Sequence, residues 1–498
     1  MPADRLPTAV LPAGRDTLAL NRSEHTYLAV DGIAGTVAQC YLLRLAVAPG
    51  AQPVTPQAVR RALRELLSAF PRLRAVIEPT WTSWRQRILP DDAALDELLD
   101  VAHRVETGVD PQDAQALEHY HAHLLNEPLS LERGLPLRSR LLPHPSEPVL
   151  FFSVHHVVCD GRSMMQMVGA LLAALGGQPM TPQPLESPSM IPALLPAQLA
   201  DWPRALLAGW RGARADQRQV GAGHIVRLPG RPHPRFCRIG VRHHTLALDA
   251  DALKRLAKSH GASVNTLLLA LTGSAFFAVA REAGSSRPDD VAVMRMSVDL
   301  RRYFPQGRAP AFGNYVASVL LADRAALPLA ERLKALDAQV KGHLARFERR
   351  ERLWPFLPAE LVPLMGRKAY SALAALVKRR DALQPLSCHA TTLGLVDGIN
   401  PPGAPVQLAG FFPTVPNFSP LFAFIGLKGR YVVTVSWPAA EIERQTIDRL
   451  IHHFDRTLAE LAAAPLEQAA AAPRPTVPVA AADGRLGPSA PTTGTAPA

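Results

Sequence analysis

The 498-residue sequence is poor in cysteine and aromatic residues and has no long uninterrupted apolar run. Its four cysteines, Cys40, Cys159, Cys237 and Cys388, are widely scattered, with no Cys-x-x-Cys pair and no zinc-site spacing. That pattern argues against a disulfide framework or a structural metal and fits a reducing compartment. Neither the P-loop pattern nor G-x-G-x-x-G is present, so the common glycine-built phosphate cradles are missing. The longest apolar stretch, 264–280, is interrupted by Asn265, Thr266, Thr272, Gly273 and Ser274. It is shorter than the roughly 20 residues of a comfortable membrane span and predicts a buried core helix. The first sixteen residues contain prolines and acidic groups but no apolar core, unlike a secretory signal. A cytoplasmic location is the expectation.

What is present is a chain long enough for about two or three domains, 48% hydrophobic, with a formal charge of +11. The charge suits an acidic partner: nucleic acid, an anionic membrane, phosphate-bearing coenzyme A or an acidic carrier protein. A solvated basic surface accounts for it equally well. Two basic clusters, Arg346–Arg352 and Lys378-Arg379-Arg380, have sparse aromatic interleaving and no nucleic-acid motif beside them. They read as solvated helix faces, or as contacts for a phosphate or an acidic carrier.

Apolar periodicity predicts a helix over 54–67, with Thr55 as cap and Pro56 at the first position. Further helices are predicted over 110–125, 163–175, 203–213, 249–258 (capped by Asp249), 264–280 (capped by Ser263) and 441–461. Strands are predicted over 149–154, 290–298, 390–396, 409–412, 418–427 and 431–437. Prolines cluster over 179–184 and 229–234, marking 176–240 as a connection between a first region, 1–175, and a second, 241–464. From residue 465 the chain is rich in Ala, Pro and Thr and poor in large apolar residues, a composition that predicts disorder.

The densest chemistry lies at His155-His156-Val157-Val158-Cys159-Asp160-Gly161. It follows the apolar run 148–154 and precedes the helix pattern 163–175. A neutral imidazole at the end of a rigid strand can take a proton from an alcohol or amine, because its reference pKa lies near neutrality. Strand alternation puts His155 and His156 on opposite faces. Cys159 reads as a small apolar spacer, and Gly161 as a residue needed for backbone shape, since glycine tolerates positive φ. Two other pairs, His243-His244 and His452-His453, lack a following Asp-Gly and read as structural or exposed. No acidic or cysteine partner makes any of them a metal site.

HHVVCDG resembles the HHxxxDG motif of the condensation-domain and acyltransferase superfamily. Phe70-Pro71-Arg72-Leu73-Arg74, the segments 126–129 and 134–138, Ser297-Val298-Asp299-Leu300-Arg301 and Phe312-Gly313-Asn314 resemble further stretches of that group, so the likeness spans roughly residues 18–462. It implies an α/β fold of two pseudo-symmetric, chloramphenicol-acetyltransferase-like lobes with an active-site channel between them. It implies His156 as general base, His155 as a packing or orienting residue, and Asp160 as a structural anion paired with Arg301, with Arg302 as the adjacent fallback. Asn314 would line the channel or donate to an oxyanion. Thr391 and Thr392 stand where relatives carry Ser-Asn-Leu-Gly, and could donate to an oxyanion; a satisfied strand threonine is the equal alternative. The plant-type DFGWG is absent. The implied reaction is direct transfer of an acyl group from a phosphopantetheine thioester, on a carrier protein or coenzyme A, to an alcohol or amine, with no metal and no permanently bound cofactor. A natural-product pathway is the expected setting. A coenzyme-A-dependent alcohol or wax-type acyltransferase, and a non-catalytic module that recruits a carrier protein, remain open alternatives.

Overall fold

The computed structural model describes residues 16–31, 37–231, 233, 238–354, 366–379, 386–400 and 403–463. Two mixed layers of strand and helix carry the site. In the first, Val149–His155 runs antiparallel between Ala38–Val47 and Leu137–Leu142, with His103–Val105 at one edge. Both faces of Val149–His155 are buried, as a continuous apolar strand requires. Helices Pro56–Ala69 and Gly161–Leu175 cover this sheet. Thr55 Oγ1 accepts from the Ala58 N–H at 3.1 Å, and Val59, Ala62, Leu63, Leu66 and Leu67 point inward at helical spacing.

The second sheet runs Val316–Arg324, Asp290–Asp299, Cys388–Leu395, Leu421–Leu427, Arg430–Pro438, Ile239–Asp249. Its covering helix, Val264–Glu282, is capped by Ser263 and buried almost all round. Among the described residues it is the one helix long and apolar enough to cross a membrane, yet 78% of its apolar window is buried inside the protein. The expected core helix is what forms. Three predicted caps, Thr55, Asp249 and Ser263, all accept from a backbone N–H in the first turn.

Two features depart from a simple chain of lobes. The strand Val406–Thr414, though late in sequence, pairs antiparallel with Ala38–Val47 and closes the edge of the first sheet. Val406, Leu408 and Phe411 pack into the first core, not the second. An exposed edge strand invites aberrant pairing, and this crossing strand covers it. The stretch 176–240 is more than a linker: Met190, Ala193, Leu194, Val226 and Leu228 are buried in the second core, and Trp202–Val220 is a 19-residue helix. Residues 1–463 form one unit, and the tail from 464 lies outside the described residues.

The reading of Arg346–Arg352 as a solvated or anion-contacting face holds for Arg349, which is exposed, and is corrected for Arg346 and Arg352. Arg346 and Arg352 both bond Asp216, Arg352 is only 4% exposed, and their charge is spent internally. The Lys378–Arg380 cluster lies outside the described side chains.

Candidate active site

Strand Val149–His155 ends at the motif, the chain turns through His156, Val157 and Val158, and helix Gly161–Leu175 begins. Asp160 caps that helix: Oδ1 accepts from the Ser163 N–H at 2.9 Å. Its other oxygen, Oδ2, accepts from Arg301 Nη1 at 2.7 Å and from the Tyr315 N–H at 2.8 Å. One carboxylate therefore starts the motif helix and ties it to two segments of the second half of the chain.

Arg301 is 5% exposed and fully engaged. Beyond Asp160 it donates to Asp299 Oδ1 at 3.1 Å, Ser163 Oγ at 2.8 Å, the Gly313 carbonyl at 2.9 Å and the Pro310 carbonyl at 3.1 Å. A planar guanidinium with five donors is the side chain suited to so many fixed acceptors. Arg302 instead lies over the Tyr303 ring.

His155 lies at the strand end, 1% exposed. Its Nδ1 accepts from the Val157 N–H at 3.1 Å, which leaves Nε2 to donate to Asp31 at 3.3 Å. It holds the turn. His156, 8% exposed, is fixed on two sides. The Tyr27 ring stacks on it, centroids 4.0 Å apart and planes 9° from parallel. Asn314 Nδ2 lies 2.6 Å from the His156 carbonyl and 3.0 Å from its Nδ1. The amide cannot be turned over, because its oxygen would then face a carbonyl oxygen at 2.6 Å. Asn314 is fully buried and its own carbonyl accepts from Asn21 Nδ2 at 3.0 Å. Burial pushes the His156 pKa down to about 4; Asp160 and the His156 and Cys159 carbonyls act weakly in the opposite sense. At neutral pH the imidazole is bare of its second proton and able to accept one.

Gly313 has φ +129°, and a Cβ there would sit 2.5 Å from Arg72 Nη1, so the Phe-Gly-Asn segment needs glycine for both conformation and space. Gly161 differs from expectation: its φ is not positive. A Cβ would lie 3.2 Å from Leu393 Cδ2 and 3.4 Å from Tyr41 Oη, so close packing is the constraint. Thr392 Oγ1 donates to Asn265 Oδ1 at 2.6 Å, the satisfied-threonine alternative. Thr391 sits on the opposite face of the same strand. Burial pushes the Cys159 thiol up, and its carbonyl accepts from Gln39 Nε2 at 2.8 Å, consistent with an inert spacer.

Tyr27 and its helix were not read from the sequence. Arg22–Val30 starts with a capping box, Asn21 with Glu24, in which each side chain accepts from the other's backbone N–H. Glu24 also pairs with Arg72, whose guanidinium reaches the Val157 carbonyl at 3.4 Å. The Asn-x-x-Glu spacing was visible; that Tyr27 would meet His156 was not. His243 is packed between His121 and Phe412, His244 bonds Asp455, and His453 lies 2.7 Å from Glu282, all consistent with structural roles. Among the described residues no cluster of His, Cys, Asp and Glu could hold a metal.

Comparison with known proteins agrees with the resemblance. The condensation-domain family model matches residues 46–187. The chain is 30% identical over 263 residues, 48% of its length, to a probable non-canonical nonribosomal peptide synthetase of Salinispora arenicola (strain CNS-205), and 32% over 163 residues, 29% of its length, to a linear gramicidin synthase of Brevibacillus parabrevis. These matches span only 3% and 2% of those much longer proteins. Among solved structures, the trichothecene 15-O-acetyltransferase of Fusarium sporotrichioides superposes with a TM-score of 0.65 at 12% identity, over 89% of this chain and 95% of that one. The first condensation domain of the calcium-dependent antibiotic synthetase superposes at 0.64 and 19% identity, over 91% and 98%. The fold is the mixed α/β fold of condensation domains and chloramphenicol-acetyltransferase-like proteins, and residues 46–187 are similar to the condensation-domain family.

Proposed function

We propose that this protein transfers an acyl group from a phosphopantetheine thioester to an alcohol or amine, forming an ester or amide, with His156 as general base. The observation that carries the reading is His156 itself: buried, neutral, stacked on Tyr27 and held by Asn314 from the other half of the chain. In the reactive tautomer the ring proton is on Nδ1 and Asn314 Nδ2 donates to the His156 carbonyl alone, so the Nε2 lone pair is free to take the proton of the attacking O–H or N–H. The same proton then passes to the leaving thiolate as the tetrahedral adduct collapses, so the ring ends as it began. Asn314 positions the ring. Asp160 and Arg301 hold the turn that presents it. Thr391 is the remaining candidate for donating to the oxyanion.

A carrier-bound acyl group is the favoured donor, with coenzyme A delivering the same arm as the alternative. The family match and the synthetase relatives support the carrier and a natural-product setting. Turnover of one acyl group on a carrier protein and on coenzyme A, with one acceptor, tests this. Carrier-bound acyl should react much faster, and His156→Ala should slow either reaction at least about a hundredfold while the fold persists. Near wild-type turnover in the folded variant would remove His156 from the mechanism, and equal rates would remove the carrier preference. No turnover of either thioester would leave a non-catalytic binding module.

A further inference from the structure

Arg295 lies in the middle of strand Asp290–Asp299, four residues before the Asp299-Leu300-Arg301 segment. Alternation divides that strand. Met294, Met296 and Val298 are buried in the core beneath helix Val264–Glu282. Arg295, Ser297 and Asp299 take the other face. The neighbouring strands keep the division: Arg295 is level with His389, and His389 with Leu421. Two pairs further along Leu421–Leu427, on the same face, Ile425 packs into the core of the first sheet. The face that carries Arg295 is therefore the one turned toward the motif layer. It is open to solvent along the row, since Ser297 is exposed.

Other buried arginines are spoken for, Arg138 and Arg140 by backbone carbonyls and four more by carboxylates. Arg301 bonds Asp160, Arg332 bonds Asp323, Arg72 bonds Glu24 and Arg352 bonds Asp216. Arg295 is half-buried and, among the described residues, forms no ion pair and no hydrogen bond. Among the described residues the titratable groups that interact with it are Tyr27 and His389. It lowers the proton affinity of both, although burial is the larger influence on each. Neither is an anion at neutral pH, because burial holds Tyr27 protonated and His389 bare. Withdrawing a guanidinium even partly from water without an anion is costly, so an unpaired, half-buried one is a place for a ligand to supply the missing charge. Tyr27 links it to the reacting centre, since its ring lies flat on His156.

We propose that Arg295 binds a carboxylate carried by one of the two substrates and so fixes that substrate beside His156. The proposal rests on the acyl-transfer reading for its purpose, but the binding site stands without it. Proximity to Tyr27 favours an anion near the reacting atoms over the phosphate at the far end of a pantetheine arm. The carboxylate belongs either to the acceptor, as in a free amino or hydroxy acid, or to the acyl chain, as in a dicarboxylic half-thioester. Recognition is the same in both: a guanidinium fork meeting two carboxylate oxygens.

Calorimetric titration of the purified protein with hexanoate and with hexanamide tests binding without any turnover. Wild type should take hexanoate in preference to hexanamide. Arg295→Gln should weaken hexanoate at least about tenfold, the loss expected for a charge-assisted pair. Arg295→Lys, which keeps the charge without the fork, should fall between them. Equal binding of the two probes by wild type, or hexanoate binding untouched in a folded Arg295→Gln, overturns the proposal. Should Arg295→Gln fail to fold, the lysine variant decides by the same comparison. Transfer assays then find the source. Alanine is set against alaninamide as acceptor, and adipoyl against hexanoyl as the thioester. A preference for the charged member that shrinks at least tenfold in the variant assigns the carboxylate to that substrate, and a preference on neither side overturns the proposal. Absence of all transfer would sink the acyl-transfer reading, while the titration would still decide Arg295.

Discussion

His156 and His121 form an instructive pair. Both are buried in the first layer, and burial pushes both down to about 4. His121 spends both ring nitrogens inside the fold: Nδ1 meets His243 Nε2 at 2.9 Å and Nε2 the Cys40 carbonyl at 3.0 Å, with Phe151 against its edge. His156 is held by one nitrogen and one face, and among the described residues no side chain bonds its Nε2. A depressed pKa and a buried position are therefore not what marks a base. The difference is a nitrogen left for a reacting group, and it arises because His156 stands in a turn while His121 stands within a helix.

The largest expected effect comes from removing what holds that turn. Asp160→Ala strips the cap from the motif helix and leaves Arg301 buried without its main anion. Stability should fall by about 3–5 kcal/mol in denaturant titration, with activity lost as well. A folded variant of unchanged stability would refute the structural role of the pair. His121→Leu sharpens the comparison from the other side. It leaves His243 and the Cys40 carbonyl without their partner and should cost about 1–3 kcal/mol of stability. Acyl transfer per folded molecule should be unaltered; a loss like that of His156→Ala would erase the distinction. Asn314→Ala frees the His156 ring and should slow transfer by about tenfold, with little change in substrate KM, since Asn314 acts through the ring. A change confined to KM would place Asn314 on the substrate instead.

The smallest effect is on pH dependence. With its pKa at about 4, His156 stays proton-free well below neutrality, so the rate should be flat from pH 8 to about 5 and fall below that. A midpoint near 6.5 would show the imidazole more exposed to water than described. Stability should respond earlier. His25, His103, His121, His156 and His343 are all pushed down from 6.5 to about 4 by burial. Between those values the unfolded chain binds protons that the folded protein refuses. Stability is thus full above about 6.5 and declines as pH falls toward about 4, which thermal unfolding across that range would read.

The sequence alone determined what is locally encoded. Cap residues and apolar periods placed the helices at 56–69, 250–259 and 264–282 to within a few residues, because the cap and the first turn it serves are only three residues apart. The seven-residue motif, with a few further short stretches, was enough to point to the superfamily the chain resembles. Tertiary structure decided everything that joins distant positions. Asp160 meets Arg301 across 141 residues, a pairing reached through family likeness, and His156 meets Asn314 across 158, a pairing that went unread because Asn314 was expected to line the channel or serve an oxyanion; neither has a local signal of its own. Without such a likeness Tyr27 on His156, Val406–Thr414 in the first sheet, and Arg346 and Arg352 on Asp216 went unread. A charge run looks the same in sequence whether water or a carboxylate 130 residues away neutralises it. Only packing, which fixes which face meets which, separates a spent arginine such as Arg301 from one such as Arg295 that has no ion pair among the described residues.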